Sequence, residues 1–256
     1  MMILGEHMLL RNELQKYCTL TGFNGGQVEI DYLQHLFLLL LSKKSSTNLV
    51  FKGGTALQKV YGLHRFSIDL DFTQKGATEF KELMERIGKE ISDFGYTTKV
   101  EEIKTIGKTF ILKINGPLNG ENPASKARLR IEISQRESVL QEPLFKEVSP
   151  IYPDLQPYTL LVMTEEEIFA EKIRAIMSRN KPRDVFDLHF LLEKGITFNV
   201  EFVNKKLEYY KEKFKRTQFL KKVRENKIPW KTELKVYCAS VPDFEKVLAT
   251  IEEKIQ

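Results

Sequence analysis

Leu49-Val50-Phe51-Lys52-Gly53-Gly54-Thr55-Ala56-Leu57-Gln58-Lys59-Val60-Tyr61, continued by Gly62-Leu63-His64-Arg65-Phe66-Ser67-Ile68-Asp69-Leu70-Asp71-Phe72, is the stretch that decides how this chain is read. Leu49-Val50-Phe51 is an apolar run of strand length. Gly53 and Gly54 follow, and glycine lets a backbone turn tightly and pass close to a ligand. Thr55 to Tyr61 predicts a helix with Leu57, Val60 and Tyr61 on one face. Ser67 to Phe72 predicts a second strand. Alternation there sets Asp69 and Asp71 on one face and Ile68, Leu70 and Phe72 on the other, core-facing one. Two carboxylates on one face repel, and a fold tolerates them at a water-facing edge or around a cation. Oxygen-only ligands suit Mg²⁺ or Mn²⁺. A glycine turn that opens a helix offers free N–H groups to phosphate. A phosphate seat beside a divalent-cation seat is the equipment of two-metal nucleotidyl transfer.

Gly-Gly, a helix, then Asp-x-Asp on the next strand resembles the signature of the polymerase-β-like nucleotidyltransferase superfamily. The fuller string is Lys52-Gly53-Gly54-Thr55-Ala56-Leu57, Tyr61-Gly62-Leu63, Arg65, Ser67 and Asp69-Leu70-Asp71-Phe72. It is similar to the AbiEii/AbiGii branch, the toxin components of bacterial abortive-infection and toxin–antitoxin pairs. The resemblance implies an α+β fold, with a nucleotidyltransferase domain over residues 1–160. A helical domain over residues 161–256 would complete the active-site cleft. The interval from Gly54 to Asp69 is longer than in most polymerase-β-like enzymes and usual in this branch.

Two later stretches extend the resemblance. Ala127-Arg128-Leu129-Arg130-Ile131-Glu132-Ile133-Ser134 alternates strictly and predicts a strand. Enzymes of this superfamily carry a third carboxylate on such a strand, and Glu132 is the residue that fits. The residues alone leave a second reading open, a solvent-facing Glu132 paired with Arg130 or Arg128. Further on, Glu171-Lys172-Ile173-Arg174-Ala175, Arg179, Lys181-Pro182-Arg183-Asp184 and Asp187-Leu188 resemble the later motifs of the branch. That likeness puts Lys172 and Asp187 in the active site. Lysine is a flexible point charge suited to a triphosphate. Asp187 would orient Lys172 or Arg183, or take a proton from a nucleophile. Read without the resemblance, the two form an interhelical salt bridge. Asp184 has a simpler reading as a charge at the helix start.

The implied site is therefore Asp69, Asp71 and Glu132 for the metal, with Lys172 and Asp187 added for catalysis. The nucleotide falls to Lys52, Gly53, Gly54, Thr55, Arg65, Ser67, Lys172 and Arg183. Arg65 has two possible partners, a phosphate or a carboxylate. The cofactor expected is Mg²⁺ or Mn²⁺, and the substrate a nucleoside triphosphate. Proteins of this branch inhibit bacterial growth and are neutralised by a separately encoded antitoxin. Some add nucleotides to tRNA, so an RNA acceptor, tRNA foremost, and a cognate antitoxin are the expected partners. The rival readings are a transferase of the same fold acting on a protein or small molecule, and a non-catalytic nucleotide or RNA binder.

Composition bounds these readings. The chain has 256 residues, 42% hydrophobic and 29% charged, as in ordinary globular domains. Its net charge of +5 and pI of about 8.9 suit a polyanionic partner or a lysine-rich solvated surface. Cys18 and Cys238 lie far apart, with no disulfide framework or zinc spacing, which points to a reducing cytoplasm. The longest apolar run, Leu36 to Leu41, is too short to span a bilayer and reads as core helix. Glu6 and His7 interrupt the apolar start, so no signal peptide is expected.

The remaining elements follow from pattern. Helices are predicted over residues 1–20, 28–42 and 77–94, with a loop over Gly22–Gly26. Strands are predicted over 96–103, 108–114 and 159–163, and a loop over 115–123. Thr164 and Glu167 form a capping box before a helix over 165–179. Pro182 opens the next helix, which Lys194-Gly195 closes. Further helices are predicted over 200–215 and 243–255. Lys221, Lys222, Arg224, Lys227 and Lys231 surround Trp230, either as an RNA path or as a solvated face over a buried ring.

Overall fold

A computed structural model describes residues 9–44, 47–105, 107–119, 126–136 and 138–256. The fold is α+β. Seven strands are β1 Leu49–Lys52, β2 Leu70–Gln74, β3 Thr98–Lys104, β4 Lys108–Ile114, β5 Ala127–Ser134, β6 Leu144–Val148 and β7 Tyr158–Val162. They form one mixed sheet in the order β3-β4-β5-β2-β1-β7-β6. β2 and β5 run parallel, as do β1 and β7, and the other neighbours are antiparallel. The helices in this part are α1 Leu14–Thr21, α2 Gly25–Ser42, α3 Gly53–Val60 and α4 Phe80–Asp93.

The chain divides into two compact units. One takes the residues up to Val60, Phe66–Val139 and Pro143–Val162. The other takes Tyr61–Arg65, Leu140–Glu142 and Met163–Gln256. The sheet belongs to the first. The second is helical: α5 Glu165–Ser178, α6 Pro182–Glu193, α7 Val200–Glu208, α8 Arg216–Glu225, α9 Trp230–Leu234 and α10 Phe244–Lys254. No helix among the described residues is long and apolar enough to cross a membrane.

Several expectations need correction. The first helix covers only Leu14–Thr21, and the portion expected over residues 1–8 lies outside the described residues, as do residues 120–123 of the expected loop. α2 begins at Gly25, not at residue 28. Asn24 Oδ1 accepts from Gln27 N–H and Gln27 Oε1 accepts from Asn24 N–H, both at 3.0 Å, so a capping box draws both glycines into the first turn. Val200 to Lys215 is not one helix. It ends at Glu208, Lys211 adopts φ 57°, and Asn204 Oδ1 takes the Phe214 N–H at 2.8 Å before α8 begins. β6 was not foreseen, because Leu-Phe-Lys-Glu-Val lacks alternation and lies at the sheet edge.

The Thr164 box is half made. Thr164 Oγ1 accepts the Glu167 N–H at 3.3 Å. The Glu167 carboxylate instead accepts from Leu140 and Gln141 N–H, at 2.8 and 2.9 Å, and pairs with Lys206 Nζ at 2.5 Å. Its tertiary partners outcompete the local one.

Candidate active site

The second strand starts at Leu70, three residues later than alternation predicts, so Asp69 precedes it and Asp71 lies within it. Leu70 and Phe72 are buried as expected, but Ile68 is exposed. Side chains, not a neighbouring strand, hold the segment before Asp71. Gln34 Nε2 donates to the carbonyls of Ser67 and Ile68 at 3.0 and 2.7 Å. Gln58 Oε1 accepts the Ser67 N–H at 2.8 Å. The buried Thr55 hydroxyl donates to the Asp69 carbonyl. A main chain whose polar groups are satisfied in this way has no need of a strand partner. Thr55, expected on phosphate, thus holds the backbone of Asp69.

Gln58 is itself oriented. Its Nε2 donates to Asp31 Oδ1 at 2.9 Å. An ionised carboxylate only accepts, so the amide must turn its oxygen toward Ser67. Asp31 also receives Lys59 Nζ at 2.8 Å and the Tyr152 hydroxyl at 2.9 Å. Burial pushes the Asp31 carboxyl up, but Lys59 and His35 outweigh it and hold it below its ordinary value. His35 Nδ1 lies 2.8 Å from the Tyr158 hydroxyl. Burial, with Lys59 nearby, pushes the His35 imidazole down to about 3.

Gly53 joins β1 to α3 at φ 75°, in the left-handed region. A Cβ there would stand 2.6 Å from Asp71 Oδ2. Strand register gathers the rest. Lys52 faces Asp71 across β1–β2, Asp71 is level with Glu132 across β2–β5, and Glu132 faces Thr109 across β5–β4. Opposed residues share a sheet face, so these four form a transverse row. Asp69, Asp71 and Glu132 are half-buried and Lys52 is buried.

Arg130 sits two residues before Glu132 on the same face. Its Nε donates to Glu132 Oε1 at 2.5 Å. The Glu132 hydrogen bond chiefly raises the guanidinium pKa, and the charges of Glu132, Asp69 and Asp71 add to it. Of the two readings of Glu132, the geometry shows the pair with Arg130, and strand register sets Glu132 level with Asp71. Among the described residues, no three His, Cys, Asp or Glu side chains already stand grouped to hold an ion. The donors are nonetheless of the right kind, hard carboxylate oxygens beside a turn that only glycine can make.

In the helical unit, α5 and α6 bring Lys172 and Asp187 together. Lys172 Nζ lies 2.7 Å from Asp187 Oδ2 and 2.9 Å from Asp184 Oδ1. Arg65 grips Asp187 with two hydrogen bonds, Nε–Oδ1 at 2.6 Å and Nη2–Oδ2 at 2.7 Å. Arg179 does the same for Asp184, at 2.8 and 3.0 Å. The result is a chain of alternating charges, Arg65–Asp187–Lys172–Asp184–Arg179, of which all but Arg179 are buried. Burial pushes the Asp187 carboxyl up, but Arg65 and Lys172 together hold it below its ordinary value. Burial pulls the Lys172 ammonium down, and Asp187 and Asp184 raise it past its ordinary value. Of the two partners open to Arg65, the structure shows a carboxylate. Arg183 stands apart from this chain, its guanidinium 6.0 Å from the Tyr237 ring centroid.

The family model described as "Nucleotidyl transferase AbiEii toxin, Type IV TA system" matches residues 38–250. The chain belongs to the AbiEii family. That match spans the Gly53 turn, the Asp69–Asp71 segment, Glu132 and the α5–α6 pair. AbiEii membership makes the protein a nucleotidyltransferase toxin of a toxin–antitoxin system, which implies a nucleotide substrate and an antitoxin partner. No curated protein matches the sequence. Among solved structures, the fold resembles MenT4, a nucleotidyltransferase toxin from Mycobacterium tuberculosis H37Rv. There the identity is 21%, the TM-score 0.69, and the match covers 96% of this chain and 88% of that one. It also resembles JHP933 from Helicobacter pylori, at 21% identity and TM-score 0.61, covering 91% of each chain.

Gln34, Gln58 and Asp31 were not foreseen as supports of the site, whereas Arg130 was expected as a salt-bridge partner of Glu132. A signal existed for some. Asp31, Gln34 and His35 follow helical spacing inside an otherwise apolar helix, which marks one polar stripe on a buried element.

Proposed function

We propose that this AbiEii protein transfers a nucleoside monophosphate from a nucleoside triphosphate to an RNA acceptor, tRNA foremost, with Mg²⁺ or Mn²⁺ as cofactor. The observation that carries the reading is the apposition of the Gly53 turn to Asp71, with Asp71 level with Glu132. Asp69, Asp71 and Glu132 would hold the cation, Glu132 exchanging Arg130 for it. A bound divalent ion supplies Lewis acidity, offsetting triphosphate charge and making the acceptor hydroxyl a better nucleophile.

The chain's own groups do the rest. Backbone N–H groups at the start of α3, from Gly53 to Thr55, bind phosphate oxygens at the positive end of the helix. Thr55, Gln58 and Gln34 keep the Asp69 backbone fixed, so the carboxylate is preorganised. Arg130, released from Glu132, would neutralise charge on the phosphates. The acceptor hydroxyl oxygen bonds to the α-phosphorus, the bond from that phosphorus to the bridging oxygen breaks, and pyrophosphate leaves. The hydroxyl proton passes to solvent.

Incubating the protein with each α-labelled nucleoside triphosphate, total RNA and total protein tests this. Label in RNA with the wild type, absent with Asp71→Ala, supports the proposal. Label in protein alone, or equal transfer by Asp71→Ala, contradicts it.

A further inference from the structure

We infer that residues 211–235, which hold α8, α9 and the turn joining them, form the surface that holds the acceptor RNA, by its phosphates and without reading its bases. The inference rests on the RNA acceptor proposed above and adds where on the helical unit the strand would sit. Residues 211–235 carry ten Lys or Arg against three Asp or Glu, a surplus of seven. The whole chain is +5, so the other residues together are net negative. Positive charge is therefore concentrated in about a tenth of the chain, where a polyanion would be attracted.

The packing sorts these cations into two sets. Some are used internally: Arg224 pairs with Glu252, Lys227 Nζ with Glu245 at 2.7 Å, and Lys222 Nζ with Glu225 at 2.7 Å. Arg216 donates to the carbonyls of Ile255 and Glu252 at 2.7 and 2.8 Å. Lys211, Lys213, Lys215, Lys221, Lys231 and Lys235 are exposed, and no ion pair is seen for them among the described residues. They stand on an anchored base. On α8, Phe219, Leu220 and Val223 are buried. On α9, Trp230 Nε1 donates to Pro242 O at 2.8 Å, and its ring lies 5.3 Å from that of Phe244. Lys231 and Lys235 are one helical turn apart and so neighbours on one side of α9.

The chemistry favours a nucleic acid over a protein. A protein-docking face centres on apolar and aromatic side chains and is depleted of lysine. Here eight of the ten cations are lysine, compact point charges that meet phosphate oxygens without fixed geometry. Such contacts position a strand and carry no sequence information.

The test compares wild type with the triple variant Lys221→Glu, Lys231→Glu, Lys235→Glu. Binding of fluorescent tRNA and of an unrelated single-stranded RNA is measured from low to moderate salt. Circular dichroism checks the fold, and the Lys→Gln triple serves if the Glu variant does not fold. Expected are similar wild-type affinities for both RNAs, at least tenfold weaker binding by the variant, and a log–log salt slope shallower by about 2 for three lost contacts. Unchanged RNA affinity and slope in a folded variant overturn the inference, even where label transfer into RNA persists. A wild type that binds neither RNA at low salt overturns it together with the RNA acceptor.

Discussion

Gly53 lies so close to Asp71 that a Cβ on the glycine would fall 2.6 Å from the carboxylate oxygen Oδ2. Strand-to-helix turn and acidic residue are thus one unit, built by the antiparallel pairing of Lys52 with Asp71. Gly53→Ala meets two costs, the left-handed φ of 75° and the clash with Asp71. The backbone term alone is about 1–2 kcal/mol. Nucleotide transfer should fall by at least 100-fold, because the Asp71 carboxylate must move. Thermal unfolding and a transfer assay on the same preparation separate the small stability loss from the larger loss of activity.

Gln58 positions Asp69 through the Ser67 backbone, and its two amide atoms have different duties. Gln58→Met loses both hydrogen bonds, leaving the Ser67 N–H and one bond to Asp31 unmet. Gln58→Glu keeps an acceptor for Ser67 but brings a like charge against Asp31. Each unmet buried group costs about 1–3 kcal/mol. Both variants should need more Mg²⁺ for half-maximal transfer, which a purely structural role at this distance would not alter. An unchanged metal requirement in folded Gln58→Met would count against the positioning role.

His35 makes acid stability a second readout of the Asp31 network. Its folded pKa is about 3 against an ordinary 6.5, so the unfolded chain binds the extra proton between those values. Stability from this residue is complete above about pH 6.5 and is lost as pH falls toward 3. Between pH 6.5 and 4.5 the loss is about 2 kcal/mol. Urea unfolding of wild type and His35→Gln over this range should show a flatter pH dependence in the variant.

Asp187 ties two buried cations, Arg65 and Lys172. Removing one partner of a buried ion pair strands the others, at about 3–5 kcal/mol. Asp187→Ala should therefore lower the urea midpoint markedly. Arg65→Met in the Asp187→Ala background should be much less damaging than the sum of the two single changes. Additive losses in this double-mutant cycle would mean that the two groups are not coupled.

The sequence was most legible where local pattern and register coincide. Strict alternation identified Ala127–Ser134 to the residue, because one face is core and the other polar. Gly-Gly followed by Asp-x-Asp marked the turn and the acidic segment. The strand start at Leu70 was missed because Ser67 to Asp69 is held by side chains 9 to 34 positions away, those of Gln58, Thr55 and Gln34. Such support depends on tertiary placement and leaves no local periodicity. Lys172 and Asp187 were paired in advance, but the bidentate grip of Arg65 on Asp187 joins residues 122 apart in sequence. Glu167 shows the reverse case, where a local capping motif gave way to Leu140, Gln141 and Lys206.

Manganese binding, followed by electron paramagnetic resonance in the presence of a nucleoside triphosphate, bears most directly on the carboxylates beside the glycine turn. Wild type should take up Mn²⁺ with a signal that weakens at least tenfold in Asp71→Asn, a change that keeps shape and removes charge. Equal Mn²⁺ uptake by the two proteins, both folded, would contradict the account.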